Sequence, residues 1–194
     1  MKLNFMFFIN SILLGAGLAM DAFSVSVANA ISNPKMKKRK MLIVAGTFGG
    51  FQFLMPLIGW LCVNTVVNYF KAFEKAVPYI ALILLLYIGG KMIFDSLKKD
   101  ENEKEEAKLG AGTLIIQGIA TSIDALSVGF TIQKYDFLSA LIACIIIFAV
   151  TFIICIAGLI IGKNFGNKYS RRAEIIGGII LIAIGIEIFV KGII

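Results

Sequence analysis

Long apolar runs separated by short charged clusters dominate this chain. A membrane-spanning helix needs about 20 mostly apolar residues to cross roughly 30 Å of hydrocarbon. Six runs fit that requirement: Phe5 to Ile31, Met41 to Val63, Ala76 to Ile93, Ala111 to Ile132, Phe137 to Ile161 and Ala173 to Val190. They predict an all-α polytopic membrane protein with six transmembrane helices and no soluble domain. Barrel strands alternate apolar and polar residues over about ten positions, whereas Ile142 to Val150 and Ile179 to Ile186 are apolar all round. The longest polar stretch, Lys98 to Lys108, mixes acidic and basic residues and predicts a solvated linker. Ala28-Asn29-Ala30 resembles a signal-peptide cleavage site, but the apolar run before it is far longer than the usual 7–15 residues. Asp21 interrupts that run and Lys35, Lys37, Lys38, Arg39 and Lys40 follow it, so it is expected to remain as the first span.

Composition changes the picture in one respect. The chain carries 19 Lys and Arg against 12 Asp and Glu, a net charge of +7 that by itself suggests nucleic-acid binding. A mean hydropathy of +0.90 excludes that class and turns the basic residues into markers of orientation. Fourteen of the 19 fall in the loops after runs one, three and five or, as Lys91, at the end of the run leading into them, and five fall on the other side. Cytoplasmic loops collect Lys and Arg, so both termini are predicted outside a cell membrane. There is no histidine, and Cys62, Cys144 and Cys155 show no C-x-x-C spacing. Zinc centres and His-based triads are therefore not expected, no cofactor is called for, and any ion must be met by oxygen.

The chain also repeats itself. Ala19-Met20-Asp21-Ala22-Phe23-Ser24-Val25-Ser26 matches Ser122-Ile123-Asp124-Ala125-Leu126-Ser127-Val128-Gly129 at an offset of 103 residues. The same offset relates Pro56-Leu57-Ile58-Gly59 to Leu159-Ile160-Ile161-Gly162. A looser match at an offset of 96 joins Ile88-Gly89-Gly90 to Ile184-Gly185-Ile186. Residues 1–97 and 111–194 are thus read as two three-helix repeats joined by a charged cytoplasmic linker at 98–110. An odd number of spans per repeat makes the second enter the membrane inverted, as in many transporters, with the site near mid-depth.

Asp21 lies roughly 15 Å from the inner end of its span and Asp124 roughly 12 Å from the outer end of its own, at 1.5 Å per residue. A lone charge there costs at least about 2.5–3.5 kcal/mol, so each acid needs a cation, a proton or water. Ser24, Ser127 and Thr121 share helical faces with the acids at spacings of three, and Gln117 lies two turns before Asp124. Asn29 sits off the Asp21 stripe as a more distant candidate. Pro56 removes the helical donor to the carbonyl of Gln52, leaving either two neutral oxygens for a cation or a packing kink. The i,i+4 pairs Lys91–Asp95 and Glu187–Lys191, and Glu174 after Arg171 and Arg172, read as interfacial charges.

With these residues in view, the sequence resembles the MntP-type manganese efflux pumps, a six-span family related to the lysine-exporter superfamily. The resemblance rests on Met20-Asp21-Ala22-Phe23, on Phe48-Gly49 through Pro56-Leu57-Ile58-Gly59-Trp60, and on Ala120-Thr121-Ser122-Ile123-Asp124-Ala125, with Ala173 to Gly178 adding to it. It implies that Asp21 and Asp124 are the important intramembrane acids, that the Gln52 position alternates between amide and acid among relatives, and that Mn²⁺ is the exported substrate. Oxygen ligands suit Mn²⁺, Mg²⁺ and Ca²⁺ alike, so the choice of manganese comes from the resemblance. Proton antiport is the expected coupling, which makes Mn²⁺, protons and the lipid bilayer the partners and excludes nucleic acid. The competing readings are an exporter of another divalent cation or an amino acid, a non-transporting membrane protein, and an intramembrane aspartyl protease. No Gly-x-Gly-Asp is present to favour the last, and no enzymatic activity is expected.

Overall fold

The computed structural model describes residues 5–62, 109–193 and, between them, Tyr79 with parts of 82–97. The described chain is helical. Helices α1 (Phe5–Ser32), α2 (Lys38–Cys62), α3 (Ala111–Ala120), α4 (Ile123–Thr131) and α5 (Phe137–Ile193) follow in order, with helical residues also between 79 and 97. Among the described residues three helical stretches are long and apolar enough to cross a membrane: Phe5–Ser32, Lys38–Cys62 and Phe137–Phe165. The bent pair Ala111–Ala120 and Ile123–Gly129 makes a fourth. Large apolar side chains face outward along the described helices, among them Leu13, Ile43, Ile83, Ile115, Ile153 and Ile179. A water-soluble domain does not expose so continuous an apolar surface.

Two features differ from the sequence expectation. The run from Ala111 to Ile132 is not one straight helix: α3 and α4 meet at 47°. Two consecutive hydroxyls cause the break. Thr121 Oγ1 donates to the Gln117 carbonyl at 2.9 Å and Ser122 Oγ to the Gly118 carbonyl at 2.7 Å. Ser122 N–H also turns back to the Ile119 carbonyl at 3.1 Å. Back-bonding of this kind competes with the regular ladder and bends the helix. The second difference lies in α5, which continues through the charged stretch after Ile161 where a loop is expected. Its apolar content still divides there, into Phe137–Phe165 and Ile175–Glu187. The third run is described only in part, and the Lys91–Asp95 pair, the linker 98–108 and the side chains of Arg171, Arg172, Glu174 and Lys191 lie outside the described residues.

Backbone contact sets the helix pairing. Helix α1 runs parallel to the first half of α5, with Gly15 against Ile147 and Val150, Gly158 against Phe23, and Gly162 against the Val27 carbonyl. A Cβ at Gly158 falls 2.9 Å from the Phe23 carbonyl oxygen, so only glycine allows the approach. Helices α2 and α4 cross likewise at Gly59 and Gly129. Gly89 and Gly178 meet reciprocally, each blocking a Cβ on the other with its carbonyl 2.6 Å away. The main core gathers Val25, Val44, Phe48, Leu159, Leu85 and Leu181 from α1, α2, both apolar stretches of α5 and the helical residues between 79 and 97.

Candidate functional site

Helical periodicity aligns Asn10, Leu14, Gly17 and Asp21 on one stripe of α1 and Asp124, Val128 and Thr131 on one stripe of α4. Between the stripes lies an open cavity of about 540 Å³, lined by Asn10, Leu14, Gly17, Val128, Thr131 and Tyr135 among others. Asp21 is the next position on the α1 stripe beyond Gly17, and Asp124 is the next on α4 beyond Val128. Asp21 is half-buried and Asp124 exposed, so neither is sealed in the core as a buried acid pair would be. Neither residue is without an interaction partner. The Ala125 N–H donates to Asp124 Oδ1 at 2.9 Å.

Gln52 connects the two Asp-Ala segments. Its Nε2 donates to the Leu18 carbonyl at 3.0 Å and to the Thr121 carbonyl at 2.9 Å. Leu18 and Thr121 each precede an aspartate by three residues, so one amide nitrogen is shared by equivalent positions of the two Asp-Ala segments. Two carbonyl partners also fix which end of the amide is nitrogen, because only N–H can face them. Gln52 is fully buried and its Oε1 has no hydrogen-bond partner. Leaving a buried acceptor unpaired costs about 1–3 kcal/mol, which a cation bound there would offset.

The remaining candidates divide. Ser24 Oγ donates to the Met20 carbonyl at 3.0 Å and Thr121 Oγ1 to Gln117 and Gly118, so both protons go to their own helices while the oxygen lone pairs stay available. Ser127 is exposed on the Asp124 stripe. Asn29 and Gln117 are instead brought to each other: Asn29 Nδ2 donates to Gln117 Oε1 at 2.8 Å and Gln117 Nε2 to Asn29 Oδ1 at 3.2 Å. Among the described residues no three His, Cys, Asp or Glu side chains converge on one point. An ion held here would draw on two carboxylates plus neutral oxygens.

Sequence reasoning missed the lining residues Asn10, Thr131 and Tyr135. Asn10 and Thr131 carry a signal, since they continue the aspartate stripes; Tyr135 lies past the end of α4 and carries none. At the same end, Trp60 Nε1 donates to the Tyr135 carbonyl at 3.1 Å, and Ser139 Oγ donates to Asp136 Oδ1 at 2.7 Å. That hydrogen bond holds the Asp136 carboxyl down at about 2, so it is charged at neutral pH.

A family model described as "Putative manganese efflux pump" matches residues 35–189, a segment that contains Gln52 and Asp124. Relatives named "Putative manganese efflux pump MntP" extend the match to almost the whole chain. One from Clostridium perfringens strain 13 is 44% identical over 201 residues, covering 93% of this chain and 92% of its own. One from Ruminiclostridium cellulolyticum is 42% identical over 183 residues, covering 93% and 94%. A relative named "Putative manganese efflux pump MntP 2", from Clostridium botulinum strain Hall, is 43% identical over 195 residues, covering 94% of each. No solved structure matches.

Proposed function

The chain belongs to the MntP family of manganese efflux pumps, and from that premise we propose that it exports Mn²⁺ across the cell membrane in exchange for protons. Asp21 and Asp124 hold the ion in this reading, with Gln52 Oε1 as a neutral ligand and Ser24, Thr121 and Ser127 as further oxygens. The observation that carries it is the Gln52 amide, which ties together the carbonyls one turn before each aspartate and keeps an unpaired oxygen beside them. Hard oxygen ligands suit Mn²⁺, and the relatives' names supply the choice of manganese over magnesium. Asn29 and Gln117, whose amides satisfy each other, fall out of the ligand set.

Six spans in two inverted repeats, 1–97 and 111–194 with the linker 98–110, belong to the same proposal, as do termini on the outer face. Its support is that equivalent glycines do equivalent work. Gly59 and Gly162, 103 residues apart like the aspartates, both meet backbone, one on α4 and the other on α1. Gly15 and Gly118, also 103 apart, pack on α5 and α2 respectively.

Moving a divalent cation out against 100 mV requires about 4.6 kcal/mol before any gradient. Two protons entering per ion return the same electrical energy, and two carboxylates give them places to ride. The test is Mn²⁺ uptake by inverted membrane vesicles. Asp21→Asn and Asp124→Asn are expected to abolish uptake while the protein remains inserted, and dissipating the proton gradient is expected to stop it in the parent. Wild-type uptake in either variant refutes the role of that acid, and uptake indifferent to the gradient refutes the coupling.

A further inference from the structure

The amides that left the ligand set have a place of their own. On α1 the cavity residues precede Asp21 and Asn29 follows it; on α3 and α4 the cavity residues follow Asp124 and Gln117 precedes it. Along both helical sides of the site, therefore, the open cavity lies to one side of the acids and the amide pair to the other. We propose that the Asn29–Gln117 pair is a shut gate, on the side of the basic Lys35–Lys40 loop, and that the chain is seen here open to the opposite face. This rests on reading Asp21 and Asp124 as the ion site.

The pair is built as a closure. Both side chains are buried, at 2% and 0% exposure, and each amide donates to the other and accepts from it. Asn33 Nδ2 donates to the Asn29 carbonyl at 3.1 Å, tying the end of α1 behind it. Further toward the basic loop, Leu114 and Met36 join the main core, and Lys163 Nζ donates to the Met36 carbonyl at 3.0 Å. Amides suit the task. Their two hydrogen bonds can be exchanged for bonds to water on opening, and the parted groups then offer polar atoms to a passing hydrated cation. An ion pair would trap the cation or its counter-charge, and an apolar plug would leave the opened passage dry.

The test places one cysteine, Ala120→Cys, in a chain whose Cys62, Cys144 and Cys155 are changed to alanine. Ala120 is buried on α3, one turn from Gln117 toward Asp124. A membrane-impermeant maleimide is applied to vesicles exposing the Lys35–Lys40 loop and, separately, to vesicles exposing the other face. Labelling from the loop side is expected to be slow, to rise about tenfold in Asn29→Ala and in Gln117→Ala as a buried hydrogen-bonded pair is lost, and to return toward the parent rate in the exchange Asn29→Gln with Gln117→Asn. Unchanged rates in the single variants overturn the proposal. So does an equal rise from both faces, which marks general loosening, or an exchange that labels as fast as the single variants. Labelling needs no transported manganese, so failure of the aspartate variants in the uptake assay and failure of the gate are read separately.

Discussion

Replacing Gln52 by leucine separates what this residue does for the fold from what it does for the ion. The change removes two hydrogen bonds, to the Leu18 and Thr121 carbonyls. Hydrogen bonds between membrane helices average about 0.6 kcal/mol each, so the loss amounts to roughly 1.2 kcal/mol. The same change removes Oε1, a buried acceptor with no partner whose presence costs about 1–3 kcal/mol. The two effects oppose each other at similar size. Gln52→Leu is therefore expected to keep the thermal stability of the parent to within about 1 kcal/mol, or to exceed it slightly, in detergent unfolding followed by size exclusion. Mn²⁺ uptake by inverted vesicles is expected to fall at least tenfold, the equivalent of about 1.4 kcal/mol for a lost neutral ligand. A variant that unfolds several degrees earlier yet transports normally refutes the reasoning, because Gln52 would then be a structural strut with no part in the site.

Other substitutions follow from contacts already described. Gly162→Ala puts a methyl group against the Val27 carbonyl and Ala30, and is expected to destabilise by about 1–3 kcal/mol through overpacking. Gly46→Ala meets nothing within 4 Å and is expected to stabilise by up to about 1 kcal/mol through helix propensity; thermal unfolding of the two variants side by side checks both. Asp136 has its carboxyl lowered from 3.8 to about 2 in the folded chain. Its contribution to stability is thus fully present above about pH 4 and is lost as the pH falls through 2. The stability difference between the parent and Asp136→Asn is expected to shrink across that window in melts taken from pH 7 downward. A difference that stays constant, or grows, overturns the assignment of the Ser139 hydrogen bond as its source.

The junction between the first two helices was legible because the basic cluster Lys35 to Lys40 separates the apolar runs. The read spans stop at Ile31 and resume at Met41, and the helices stop at Ser32 and resume at Lys38. The break in the fourth run was not legible from hydropathy, which stays high across it. Its cause is the pair of hydroxyls at Thr121 and Ser122 turned onto the preceding carbonyls. Charge after Ile161 marks where the chain stops being apolar, whereas helical hydrogen bonding is local and runs on, so α5 has no gap there. The sequence singled out Gln117 on the Asp124 face and Asn29 off the Asp21 stripe as candidate ligands, but spacing along a helix cannot say that two amides on different helices face each other. Gln52 was found for its neighbour Pro56; its two carbonyl partners come from helix packing that no local pattern encodes.

The glycine seams bear on how such a molecule could move. Where α1 meets α5 and where α2 meets α4, glycines let main chain approach main chain, as at Gly162 on the Val27 carbonyl and Gly59 on the Leu126 carbonyl. A joint of that kind has few rotamers to rearrange and little slack, so each pair is expected to behave as a single stiff arm. Rocking must then be accommodated where the arms touch through adjustable groups, as at Gly49 against the Phe148 ring, and where polar contacts can be remade. Bulky substitutions in the seams should jam the arms, while changes on the faces between them should retune the stroke.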